Sequence, residues 1–326
     1  MKRVAIALFR NDLRLHDNPL LTESTAFLSG TQSADAYLLP LYCVDPRQVD
    51  LTTLNGKLQT SFKPATTWNF DLPRCAPFRT KFLGQTVLAL HKNLKQHNSD
   101  LMIKFGHPED IVSELVEHLQ SKHGIDVQVF LNVEHTFEER RTQNRLRNSC
   151  RMKFTQGGLS MVHPDDVPFD KCPTVFTAFR KKCESLQQKM VRPPLSIPSL
   201  QPFPEEASSF MADQKQEWLH DITNLELPFD KGSMVAYKGG EDIALERLRH
   251  YVSGPNAPLF TYKKTRNALA GIDSSTHFSA FLGNGCLSAR EIYRQVKEAE
   301  DEHGGNESSY WVIFEYIYPF FDSLFS

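Results

Sequence analysis

Val4-Ala5-Ile6-Ala7-Leu8-Phe9 runs directly into Arg10-Asn11-Asp12-Leu13-Arg14-Leu15-His16-Asp17-Asn18-Pro19. Six apolar residues without polar alternation predict a strand covered on both faces, as in a parallel sheet. The polar stretch behind it predicts a loop at that strand's carboxyl end, with Asn18 or Asp17 capping the next helix. Ligands of open parallel sheets bind outside the carboxyl ends of strands, so this loop is placed to meet one. An Arg–Asp network tying the loop to a second domain explains the same residues.

Working outward, Ala36–Val44, Leu101–Phe105 and Val127–Leu131 repeat the unalternated apolar pattern. Between them, Leu83, Val87, Leu90 and Leu94, and then Ile111, Leu115 and Leu119, keep helical spacing. This alternation predicts a doubly wound parallel α/β sheet over residues 1–155. It contains neither Gly-x-Gly-x-x-Gly nor a Walker A sequence, so any ligand there is held by side chains and loop ends. From 156 to 235 nine of the 19 prolines fall between 160 and 230, which predicts a long surface connector with a short helix over Val175–Leu186. Beyond Gly239-Gly240, Ala244, Leu248, Tyr251 and Val252 share a helical face, and Ser288-x-x-Glu291 has the form of a capping box. Residues 236–326 therefore read as helical.

Composition excludes several classes. The 326 residues exceed one ordinary core, and 40% hydrophobic with 23% charged residues is globular. A net charge of −2 gives no overall field for nucleic acid or anionic membrane, so a polyanion must meet a local patch. Cys43, Cys75, Cys150, Cys172, Cys183 and Cys286 form no Cys-x-x-Cys pair, which argues against zinc and against a secreted disulfide framework. No signal or transit segment and no membrane-length apolar run is visible, so the expectation is a soluble intracellular protein.

Two further places could carry chemistry. Glu138-Glu139-Arg140-Arg141 opens a helix behind the fourth strand, either as a solvated first turn favoured by the helix dipole or as carboxylates for a pterin or purine edge. Tyr262-Lys263-Lys264-Thr265-Arg266-Asn267 and Asp273-Ser274-Ser275-Thr276-His277-Phe278-Ser279 bring four hydroxyls within six residues near three cations. That set suits a diphosphate cradle, and equally a Ser/Thr-rich turn between helices.

The stretch Phe9–Asn18 is similar, almost letter for letter, to the N-terminal signature of the photolyase–cryptochrome family. Leu41–Arg47, Pro77–Leu83, Gly106–Asp110, His163–Asp170, Thr174–Lys181, Tyr262–Asn267 and Tyr310–Glu315 resemble its DASH branch. The resemblance implies an α/β antenna domain (1–155), an interdomain connector (156–235) and the first part of an all-helical FAD-binding domain (236–326). It implies FAD and, in the α/β domain, the antenna 5,10-methenyltetrahydrofolate. By position, Glu139 matches the family carboxylate that contacts the folate. Tyr262, Ser275, Thr276, Phe278 and Ser279 match the segment around the FAD phosphates. Arg266 matches a DNA contact and Glu315 the acid that meets the lesion bases. The implied activity is light-driven repair of cyclobutane pyrimidine dimers, mainly in single-stranded DNA, or photoreception, by a monomer.

Departures qualify this. His277 stands where the branch has lysine, Ser274 where it has an aromatic, and Ala280-Phe281 replaces Pro-Trp; Asn132-Val133-Glu134-His135 is atypical near the antenna. A loop around 50–70 is longer than usual. After Glu315 the pattern is lost, and Pro319 is expected to break the helix. The expectation is a C-terminally truncated form whose incomplete flavin pocket holds FAD weakly or not at all. Alternative readings are a non-catalytic interaction module and an unrelated nucleotide-binding α/β protein.

Overall fold

The structure, a computed structural model, describes residues 1–30, 35–49, 66–67, 69–72, 74–167, 173–211, 238–268 and 271–323. Cys172, the end of the His163–Asp170 motif, most of the 50–70 loop and the later connector lie outside the described residues.

Five parallel strands, β1 (Arg3–Phe9), β2 (Ala36–Val44), β3 (Met102–Phe105), β4 (Asp126–Asn132) and β5 (Met152–Thr155), stand in the order β3-β2-β1-β4-β5. The chain winds outward from β1 in both directions, so the order reverses between β1 and β4. Every residue from Val4 to Phe9 is fully buried, and the pleat divides them. Ala5, Ala7 and Phe9 join Leu20, Leu21, Leu83, Val87, Leu90 and Leu94 from α1 (Pro19–Leu28) and α2 (Pro77–Gln96) on one face. Val4, Ile6 and Leu8 join Ile111, Leu115 and Leu146 from α3 (Pro108–Glu117) and α4 (Phe137–Ser149) on the other. Two covered faces are why these strands lack polar alternation.

β2 pairs with β3 only from Leu41 onward, and its earlier part carries Pro40, which has no N–H to give. The connector covers that open edge, where the Leu38 N–H donates to the Pro202 carbonyl at 3.1 Å. The predicted connector helix is α5 (Phe176–Met190).

The helical half comprises α6 (Glu241–Val252), a short turn of helix at Tyr262–Thr265, another at Ser279–Gly283, then α7 (Ala289–His303) and α8 (Glu307–Ser323). Ala244, Leu248, Tyr251, Phe278, Phe281, Ile292, Val296 and Val312 pack into a third core that also receives Phe179 from α5. Two expectations are corrected here. Pro319 lies inside α8, which runs on to Ser323; a proline removes one backbone hydrogen bond, its own, and a helix can continue past it. Ser288 caps α7 by accepting from the Arg290 N–H at 3.1 Å, but Glu291 turns to Arg294 and Gln295 instead of back to the cap. The capping box belongs to α4, where Thr136 and Glu139 exchange bonds.

Among the described residues no helix is long and apolar enough to cross a membrane, and no His/Cys/Asp/Glu group could hold a metal ion. The described cysteines are free, all buried except the half-buried Cys150.

Candidate functional site

The loop after β1 is an interdomain latch. Arg14, almost wholly buried, gives Nη1 to the Gly285 carbonyl at 2.9 Å and Nη2 to the Asp17 and Gly158 carbonyls at 2.9 and 2.5 Å. The Asp17 carboxylate accepts from Arg290 at 2.9 and 2.5 Å, from the Leu195 N–H at 2.9 Å and from the Ser288 hydroxyl. Glu241, at the start of α6, accepts from the Leu15 and His16 N–H groups at 2.9 Å and pairs with the His16 ring at 2.5 Å. Burial alone would raise the Glu241 carboxyl; those donors hold it below its ordinary range. Gly285 is required where these surfaces meet. Its φ is +70°, and a Cβ there would stand 2.0 Å from the Asn11 carbonyl oxygen. Asn18 caps α1 through the Leu20 N–H at 3.1 Å.

Arg10, Asn11 and Asp12 bond to Asn132, Glu134 and Glu139, at and beyond the end of β4. Asp12 accepts from the Arg10 N–H at 2.7 Å and from Asn132 at 2.6 Å. Burial pushes its carboxyl up against the pull of those donors and of nearby Arg14. Glu134, also buried, pairs with Arg10 and accepts from Asn11 at 2.7 Å. Desolvation outweighs the pull of Arg10 and raises Glu134 to about 7. The same Asn11 amide reaches Glu139 at 3.1 Å, while the other Glu139 oxygen accepts from the Thr136 N–H at 3.2 Å. Glu139 is thus both a helix cap and one wall of a cleft of about 450 Å³. Arg74, Arg79, Phe137 and Gln48 line its other sides, and Gly283 enters from the helical half.

The second site lies in the helical half. Arg247, on α6, fixes the hydroxyl-rich turn: Nη2 donates to the Ile272 and Ser275 carbonyls at 2.8 and 3.0 Å, Nε to Thr276 at 3.2 Å, and Nη1 to Asp273 at 2.7 Å. His277 then turns the chain at φ +55°, so Phe278 is buried edge-on to Tyr251 at 5.8 Å while Ser279 stays exposed. The Thr276 side chain hydrogen-bonds with Tyr316 of α8. Tyr262 is buried beside them and hydrogen-bonds Arg266, which pairs with Glu315 and lies 4.5 Å over the Trp311 ring. The structure therefore brings Tyr262, Arg266 and Glu315 together, with Thr276 and Phe278 adjoining through Tyr316 and Tyr251, and leaves Glu139 in the other half.

The Tyr251 hydroxyl, fully buried, has no hydrogen-bond partner among the described residues. Leaving such a donor unmet costs about 1–3 kcal/mol. With the backbone of the hydroxyl-bearing turn held by Arg247 and the buried Tyr251 hydroxyl without a partner among the described residues, the residues present fit a phosphate-bearing cofactor such as FAD. Sequence reading missed Glu134, Arg247, Tyr251 and Arg79. Arg247 alone left a signal, a cation inside the Ala244–Leu248–Tyr251 stripe.

The DNA photolyase family model matches residues 5–204. Cryptochrome DASH of Danio rerio is 37% identical over 323 residues, covering 97% of this chain and 56% of that protein. Cryptochrome DASH of Gloeobacter violaceus is 34% identical over 97% of this chain and 57% of its own length. The chain thus spans little more than half of the curated relatives it matches. The crystal structure of the Synechocystis cryptochrome superposes with a TM-score of 0.80 at 29% identity, over 99% of this chain and 61% of that one. An archaeal photolyase from Sulfolobus tokodaii, solved with two FAD molecules, shares the fold at TM-score 0.62 and 20% identity, over 96% of this chain and 59% of that one. The chain shares its fold with these solved structures, and the family model spans most of it: this chain belongs to the DNA photolyase family.

Proposed function

We propose that the protein is a blue-light flavoprotein that acts on cyclobutane pyrimidine dimers in DNA, with single strands preferred, and that its helical half seats FAD. The observation that carries this reading is the Arg247-held, hydroxyl-bearing turn beside Tyr251, whose buried hydroxyl has no partner among the described residues, in a chain of this family. The chemistry FAD supplies when bound is light-driven electron donation to the dimer. The hydroxyls of Ser275, Thr276 and Ser279 bind diphosphate oxygens. Arg247 keeps the backbone of the turn that carries them in place before the ligand arrives, so little ordering is lost on binding. Tyr262 and Phe278 wall the seat. Arg266 has five donors and only some are spent on Glu315 and Tyr262, which leaves it able to meet a DNA phosphate. Glu315 accepts from the exposed edges of the lesion bases. A lesion must leave its stack to reach such a site, and unstacking costs least in a single strand.

The cleft beside Glu139 is the seat of the antenna, 5,10-methenyltetrahydrofolate, whose amino-pyrimidine edge donates to the Asn11-oriented carboxylate. Its volume lies within the usual range for small-molecule sites.

The test is a blue-light repair assay on a dimer-bearing oligonucleotide, single- and double-stranded, after titration with FAD. Saturable flavin binding with faster repair of the single strand supports the reading. Absence of flavin binding at millimolar FAD refutes it.

A further inference from the structure

The charges around the 450 Å³ cleft do not cancel evenly. Arg74 is spent: its guanidinium donates to both Glu138 oxygens, at 2.9 and 2.6 Å. Arg79 carries no ion pair and no hydrogen bond among the described residues, yet it lines both this cleft and the adjoining recess that runs down to Tyr42. It also sits in the first turn of α2, which holds no acidic residue and where the helix dipole disfavours a cation. Neither pairing nor dipole explains the charge where it stands. Glu139 and Asn11 line the same cleft and offer acceptors, and Phe137, 79% exposed, lines it too. An apolar ring left so open beside a cavity is a surface for a flat partner to cover.

A molecule that satisfies all three walls has a planar head with N–H donors for Glu139, a face for Phe137 and an anion for Arg79. We infer that Arg79 is the specificity-determining residue of this cleft, selecting ligands whose planar head carries a carboxylate-bearing tail. The inference rests on the antenna reading above and goes further, because Glu139 alone would accept the head of a pterin without regard to its tail. A guanidinium–carboxylate contact is charge-assisted and bidentate where geometry allows, and salt weakens it at an open cleft.

The probes are 5,10-methenyltetrahydrofolate and its α,γ-diamide, in which both glutamate carboxylates are replaced by neutral amides, with binding followed by ligand fluorescence. The wild-type chain binds the folate about tenfold more tightly, and added salt shrinks the difference. Arg79→Ala removes the preference by weakening the folate alone, and Arg79→Lys restores part of it. Glu139→Gln weakens both ligands alike and keeps their ratio. Equal wild-type affinity for the two, or a preference that survives in Arg79→Ala, overturns the role of Arg79 and leaves the antenna reading standing. Failure of the wild type to bind either ligand overturns the antenna reading and this inference with it.

Discussion

The loop after β1 and the turn at 272–279 are both polar, both rich in hydrogen-bonding side chains and both held by a buried arginine. They differ in what remains unmet. Around the first loop the protein answers most of its own groups: Arg14 finds carbonyls, Asp17 finds Arg290, and Glu241 finds two N–H groups and His16, whose Nε2 is the exception, buried with no partner among the described residues. Around the second, Arg247 takes up the backbone carbonyls, Ser279 stays exposed, and the Tyr251 hydroxyl is buried without a partner among the described residues. Saturated polar networks hold domains together, and unsaturated ones wait for a ligand. Polar residue types alone do not separate the two; the accounting of donors and acceptors does.

The largest effect expected from breaking this comparison is at the latch. Asp17→Ala leaves Arg290 buried without its carboxylate, and a loss of about 3–5 kcal/mol is expected in urea unfolding. A loss below 1 kcal/mol would place the latch among contacts that matter little.

Glu134 sharpens the contrast by pH. Its folded value of about 7 stands above the ordinary 4.5, so the folded protein binds this proton more tightly than the unfolded chain. The resulting stabilisation is complete below about 4.5 and is lost as pH rises through about 7, a change on the order of 3 kcal/mol. Glu134→Gln should flatten that part of the stability–pH profile, and parallel profiles for variant and wild type would count against the burial argument.

The smallest effect is at the rim of the cleft. The Arg74–Glu138 pair is exposed despite its good geometry, and Arg74→Ala should cost under about 1 kcal/mol, shrinking further in salt.

How much of this was legible beforehand follows the same division. β1 and β2 were readable because both faces are apolar, and the spacing of Leu83 to Leu94 gave α2. β5 was not, since Met152–Thr155 is four residues with a lysine in the middle and only Thr155 buried. The Arg–Asp latch was one of two readings of the first loop, and the loop spends most of its polar groups in that way. At Glu139 the cap and the cleft proved compatible, because each carboxylate oxygen has more than one lone pair. The places that escaped are those defined by three-dimensional accounting. Tyr251 read as an apolar stripe residue, and nothing along the chain tells whether its hydroxyl finds a partner. Arg79 lay inside a family-like stretch, and its lack of a counter-ion among the described residues is visible only once Arg74 and Glu138 are seen to satisfy each other.

The most direct test of the flavin seat is an FAD titration of the wild type and Tyr251→Phe, with unfolding of the ligand-free proteins measured alongside. Because the hydroxyl has no partner among the described residues, its removal should leave the free protein as stable or slightly more stable, while FAD affinity falls by about five- to tenfold. A variant that unfolds more easily yet binds FAD unchanged would show that the hydroxyl serves the fold and not the cofactor.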